Sequence, residues 1–134
     1  MTIKITEANR AISAALEKAA ELKELISVTV CDSAGHLIAH QRMDGVLAWA
    51  THFSIGKAIA SAECGIPSGD PIPHLPHRPL TAVVTGTGAP DIHRRGGLPI
   101  FRRGKVVGGV GVSGATTNEL DEVCAKAAVE ALKR

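Results

Sequence analysis

ISVTVCDSAGHLIAHQR, residues 26–42, is the stretch on which the reading of the fold turns. Ile26, Val28 and Val30 alternate with Ser27 and Thr29, the period of two expected of a strand with one buried face. Asp32-Ser33-Ala34-Gly35 has turn chemistry, and His36 to Arg42 reads as the strand returning from it. Met43-Asp44-Gly45 ends the hairpin. A second hairpin follows much later: Ile100 to Arg103, a turn at Gly104, and the Val-rich run Lys105 to Val112. Two hairpins in place of βαβ units imply a mainly antiparallel sheet.

Helices flank these hairpins. In residues 6–23, Ala8, Ala11, Ile12, Ala15, Leu16 and Ala19 recur at steps of three and four, with Thr6 as the expected N-cap. From Val46 to Cys64 the helical period returns, with Ala48, His52, Ile55, Ile59 and Ala62 on one face. A last helix opens at Thr116-Thr117-Asn118-Glu119, which fits a capping box, and turns Leu120, Val123, Cys124, Ala127 and Ala131 inward. All seven prolines fall between Pro67 and Pro99, where only a short strand at Leu80–Val84 is expected. The order is α-β-β-α-loop-(β)-β-β-α, an α/β protein of the α+β type with helices packed on a mostly antiparallel sheet.

The 134 residues and 13.9 kDa make one domain, residues 1–134. Apolar residues at 45% and charged residues at 21% provide for a packed core and exclude wholesale disorder. No apolar run nears the roughly 20 residues of a membrane span, and the amphipathic start is unlike a signal peptide, so a cytoplasmic protein without membrane contact is expected. Net charge of +2 and three aromatics (Trp49, Phe53, Phe101) argue against nucleic acid as a partner. A core of Ala, Val, Ile and Leu buries little area per side chain, so contacts with further copies of the chain are expected. Cys31, Cys64 and Cys124 form neither a disulfide framework nor a zinc pattern and read as buried thiols.

Gly109-Val110-Gly111-Val112-Ser113-Gly114 matches G-x-G-x-x-G, but no parallel strand or acidic residue follows at the dinucleotide spacing. Close approach of a strand or helix explains these glycines better. Ser54-Ile55-Gly56-Lys57 matches S-x-x-K without its companion motifs, which sets acyl transfer aside. Lys57 keeps its interest because it carries the only charge between Asp44 and Glu63, and it is expected either to face an anion in a cleft or to lie on the surface. No metal cluster is expected. His36 and His40 would stand about 13 Å apart on one strand, and His74 and His77 about 9 Å apart in extended Pro-rich chain. His93-Arg94-Arg95-Gly96-Gly97-Leu98-Pro99, with Arg102 and Arg103 beyond, sets cations around backbone donors suited to a carboxylate or phosphate.

The ordered set VTVCDSAGHL, Arg42-Met43-Asp44-Gly45, Lys57-Ala58, Gly96-Gly97-Leu98-Pro99-Ile100 and VGGVGVSG (107–114) resembles the GlcG/HbpS family, which includes the C-terminal domain of PduO-type proteins. The likeness covers nearly the whole chain. It implies a compact domain with a mostly antiparallel sheet between helices and homo-oligomers of up to eight subunits. Some relatives bind haem, and others are encoded beside catabolic enzymes. The chain departs from the family at Ile59, where an aromatic is usual, and in a first helix without histidine.

Two functions follow. The first is binding of, or action on, a small organic acid in a catabolic pathway, with isomerase, tautomerase or ring-opening chemistry. Arg42, Met43, Arg95, Gly96, Gly97 and Pro99 would hold such a ligand, and Lys57, Asp44 and His52 would move protons. The second is haem or tetrapyrrole binding through one histidine as axial ligand. Both place the cleft between the Arg42–Asp44 turn, the Lys57 face and the Gly96–Pro99 loop.

Overall fold

The computed structural model of the chain describes residues 2–71, 83–84 and 90–133. Nine elements run in order: α1 (Ile5–Leu22), β1 (Ser27–Asp32), β2 (Leu37–Arg42), α2 (Trp49–Cys64), β3 (Val83–Val84), β4 (Pro90–Asp91), β5 (Gly97–Arg102), β6 (Lys105–Ser113) and α3 (Asn118–Glu130). Four strands form one sheet in the order β2-β1-β6-β5, every neighbour antiparallel, and β3 and β4 make a separate two-residue ladder. Both expected hairpins are present, joined through their central strands β1 and β6. Of the strand expected at Leu80–Val84, Val83–Val84 is found; residues 80–82, like His74 and His77, lie outside the described residues.

The sheet separates two unlike layers. Val28, Val30, Val110, Val112 and Ile100 point to α1 and α3, where they meet Ala8, Ala11, Ile12, Ala15, Cys124 and Ala128 in the main core. The alternation of β1 thus works as read, with every second side chain entering this core. The opposite face carries α2, through a much smaller apolar contact of Cys31, Ala58 and Ala62.

Helix ends depart from expectation where other groups satisfy the first turn. The N-cap of α1 is Lys4, not Thr6: the Glu7 carboxylate accepts from the Lys4 backbone N–H at 3.0 Å and fixes the start two residues earlier. In α3 the N-cap is Thr117, whose hydroxyl accepts from Leu120 N–H at 3.1 Å. The expected capping box at Thr116 does not form, because Thr116 N–H donates to Glu24 instead, at 2.9 Å. The inward face of α3 is correspondingly Asp121, Cys124, Ala125 and Ala128, with Val123 exposed.

The face expected of α2 also differs. Ala48 and His52 are exposed, whereas Ser54, Lys57, Ala58, Ser61 and Ala62 are buried against the sheet. Ile59 is buried on a different flank, beside Gly35 of the β1–β2 turn. Hydrophobic periodicity marks the bulky residues of α2, but its seat on the sheet is made by its small ones.

Candidate functional site

That seat is glycine. A Cβ built on Gly111 would stand 2.0 Å from the Ser54 carbonyl oxygen, one on Gly109 2.3 Å from that of Ala58, and one on Gly97 2.4 Å from that of Lys57. The backbone of α2 therefore lies directly on β5 and β6, a contact that only strands without side chains there permit. This is the close approach expected of the 109–114 glycines. The rest of this face is polar: Arg42, Ser27 and Ser113 fall in one register row, and His40, Thr29, Gly111 and Gly97 in the next.

Lys57 meets its anion within the chain. Its Nζ lies 3.1 Å from an Asp121 carboxylate oxygen and donates to the Val112 carbonyl at 2.9 Å, at 1% side-chain exposure. The second Asp121 oxygen accepts from Ala115 N–H at 3.0 Å. Burial pushes the Lys57 amine down and the Asp121 carboxyl up, and each partner's charge opposes the other's shift. Gly96, at φ +133°, sits over the amine, where a Cβ would come 2.8 Å from Nζ.

The Gly96–Gly97 backbone is likewise engaged internally. Gly97 N–H donates to Ser68 Oγ at 2.8 Å, and its carbonyl accepts from Ser68 N–H at 3.0 Å. Ser68 Oγ in turn donates to the Arg94 carbonyl. The Gly97 donor expected to face a ligand is thus taken up in holding the Pro67–Ser68 segment to the sheet. Arg95 reaches the start of α3, 3.0 Å from Glu122 and 3.5 Å from Glu119. Pro99 lines a groove of about 790 Å³ between β5 and the end of α3, with Phe101, Arg103 and Leu132.

Arg42, Met43 and Asp44 lie elsewhere. Arg42 and Asp44 are exposed, and the Met43 sulfur accepts from Ile26 N–H at 3.3 Å. Arg42 is on edge strand β2 and Gly97 on the opposite edge strand β5, three strand spacings or about 14 Å away. The structure brings Lys57, Gly96 and Gly97 together and keeps the Arg42–Asp44 turn apart, so one cleft does not contain all of them.

A different cluster gathers where α2 leaves β2 uncovered. Thr29 Oγ1 is 2.7 Å from His40 Nδ1 and 3.0 Å from Ser54 Oγ, and Ser54 Oγ donates to the Thr51 carbonyl at 2.8 Å. His40 Nε2 is buried and has no hydrogen-bond partner among the described residues, as is true of Ser27 Oγ and Ser61 Oγ. Such a group, left unsatisfied, costs about 1–3 kcal/mol. Burial, with Arg42 and His52 adding their charges, pushes the His40 imidazole below its ordinary value. The expected catalytic His52 is exposed and is one of the charges acting on His40.

Asp121, Ser68, Thr29 and His40 escaped the sequence reading as site residues. Lys57, expected to face an anion in a cleft or to lie on the surface, is instead buried against a carboxylate of its own chain. Pairing His40 with Thr29 requires the irregularity between Val30 and Cys31, which leaves Ile38 unpaired and shifts the register by one.

The fold defines a class: a four-stranded antiparallel sheet with two helices on an apolar face and one glycine-seated helix on a polar face. A double mutant of Streptomyces reticuli HbpS shares it with a TM-score of 0.87 at 27% identity, over 100% of this chain and 89% of that one. The haem complex of PduOC shares the fold with a TM-score of 0.80 at 23% identity, over 98% and 95% of the two chains. Protein GlcG of Escherichia coli K12 is 33% identical over 106 residues, 79% of this chain and 77% of its own. The family described as "Haem degrading protein HbpS-like" matches residues 3–130. The chain belongs to this HbpS-like family, as the ordered motifs implied.

Proposed function

We propose that the chain binds haem or a closely related tetrapyrrole, held by a histidine on the iron and by Arg42 toward a propionate. The observation that carries this reading is the His40 ring on edge strand β2, pinned through Nδ1 with a buried Nε2 that has no hydrogen-bond partner among the described residues. Among the described residues no three His, Cys, Asp or Glu side chains gather to hold a bare ion. A single imidazole suffices only where the metal brings its other ligands with it, as haem iron does. The family's description and the haem-bound fold neighbour support the same reading. Haem would supply a redox-active iron; the chain's own part is to bind and orient it. Titrating the purified chain with haemin tests this: a Soret band saturating near one equivalent is expected, and a spectrum no different from free haemin would overturn it.

A second reading, the small organic acid, rests on Ser27. Its buried, unpartnered hydroxyl stands opposite exposed Arg42 in register, a donor and a cation that a carboxylate would satisfy together. Isomerase, tautomerase or ring-opening chemistry belongs to this reading, with Asp44 or His52 moving the proton and Lys57 excluded from direct contact by its burial. Calorimetric titration with a panel of hydroxy and oxo acids tests it: heat that vanishes in Arg42→Gln supports it, and no heat from any acid overturns it.

A further inference from the structure

Counting protons along the His40 cluster fixes more than its distances do. A hydroxyl carries one proton. That of Ser54 goes to the Thr51 carbonyl, which can only accept. Ser54 Oγ therefore receives its second bond from Thr29, and the Thr29 proton is committed to it. Thr29 Oγ1 is left with lone pairs only, so the 2.7 Å contact to His40 must be donated by the ring as Nδ1–H. In a neutral imidazole the other nitrogen is then bare. The chain His40 → Thr29 → Ser54 → Thr51 O runs in one direction and ends on backbone.

We infer that this hydroxyl relay holds His40 in the Nδ1–H tautomer and that the bare Nε2 lone pair is the chain's ligand to haem iron, with Thr29 and Ser54 as positioning residues. The inference rests on the haem reading for its metal and on this chain's own hydrogen bonds for its ligand. Metal-bound histidines characteristically donate their second ring N–H to an oxygen acceptor, which fixes the tautomer and the plane of the ring. Thr29 is such an acceptor. It sits on central strand β1, at 0% exposure, between two strands that hold its backbone on both sides. His40 is on the edge strand beside it, so the ring is anchored from the rigid side, and its buried Nε2 meets iron only once the groups that enclose it move aside. Edge strand β2 also carries Arg42, on the same face as His40 and two residues along.

Nitrogen-15 NMR of the histidine-labelled chain without haem tests the relay directly. Long-range proton couplings should show His40 protonated at Nδ1 and bare at Nε2; the opposite tautomer would overturn the relay whether or not haem binds. Haemin titrations then separate the ligand from the function. Wild type should bind, His40→Ala should lose the low-spin imidazole signature and regain it with added imidazole, and His52→Ala should retain it. Thr29→Val, which keeps shape and removes the acceptor, should weaken binding about 10–100-fold, with Thr29→Ser restoring most of it. If wild type binds haemin and His40→Ala binds it with the same spectrum, the ligand assignment is wrong while the haem reading stands. If wild type fails to bind haemin, the haem reading falls and the ligand assignment with it.

Discussion

Lys57 Nζ and Asp121 Oδ2, 3.1 Å apart and almost wholly buried, join helices that lie on opposite faces of the sheet. Lys57 belongs to the layer of α2 and Asp121 to the layer of α3, and the pair closes past the sheet end at Gly96 and Val112. Removing one partner leaves a buried charge without compensation. Lys57→Met is expected to lose about 3–5 kcal/mol in urea denaturation. Lys57→Met with Asp121→Asn should recover part of that, because the amide still accepts from Ala115 N–H without a charge. A single variant as stable as wild type would show that the pair holds nothing.

The seat of α2 makes a sharper claim about one methyl group. Gly111→Ala would force a Cβ against Ser54 O and Ala58 N, backbone atoms that cannot step aside singly. A loss of about 3 kcal/mol or outright misfolding is expected. Gly104→Ala is the control: it meets nothing within 4 Å but adopts φ +75°, so about 1–2 kcal/mol should be lost. Thermal melts of the two proteins compare them, and equal losses would refute the close contact.

The thiols should separate in reactivity. Burial pushes the Cys31 thiol up to about 12 and that of Cys124 up to about 11, whereas Cys64 is half-buried at the end of α2. Brief iodoacetamide treatment of the native chain, read by peptide mapping, is expected to label Cys64 first. Labelling of Cys31 at the same rate would contradict its enclosure.

Self-association is expected from the apolar side chains the single chain leaves out. Leu47 is 65% exposed and Trp49 50%, close together at the start of α2, with Phe101 at 53% on β5. Light scattering at micromolar concentration should give a multiple of 13.9 kDa, and Leu47→Ser with Trp49→Ser should lower it. A wild-type particle of 13.9 kDa would end this expectation.

The two hairpins were legible because Val on β1 and β6 alternates against Gly, Ser and Thr, and that alternation is the sheet's two faces. The seat of α2 was hidden for a related reason. Its contact surface consists of Ser54, Ala58, Ser61 and Ala62, which carry no hydrophobic signal, while His52 and Ile55 imitate a buried face. Asp121 reads as an ordinary acid in the first turn of a helix, and only the tertiary approach of Lys57 gives it a partner. His40 faces Thr29 by virtue of the unpaired Ile38, a one-residue shift that no local composition marks.

The contrast between the two faces of the sheet bears on the order in which the chain assembles. The α1 and α3 face brings its large aliphatic side chains together and can collapse on burial alone. The α2 layer gains little from burial and must fit backbone to backbone, a contact that forms only once β5 and β6 are aligned. It is therefore expected to dock late and to open first. Under native-state hydrogen exchange, amides of α2 should exchange through a lower-energy opening than those of β1 and β6, which should open only with the whole molecule.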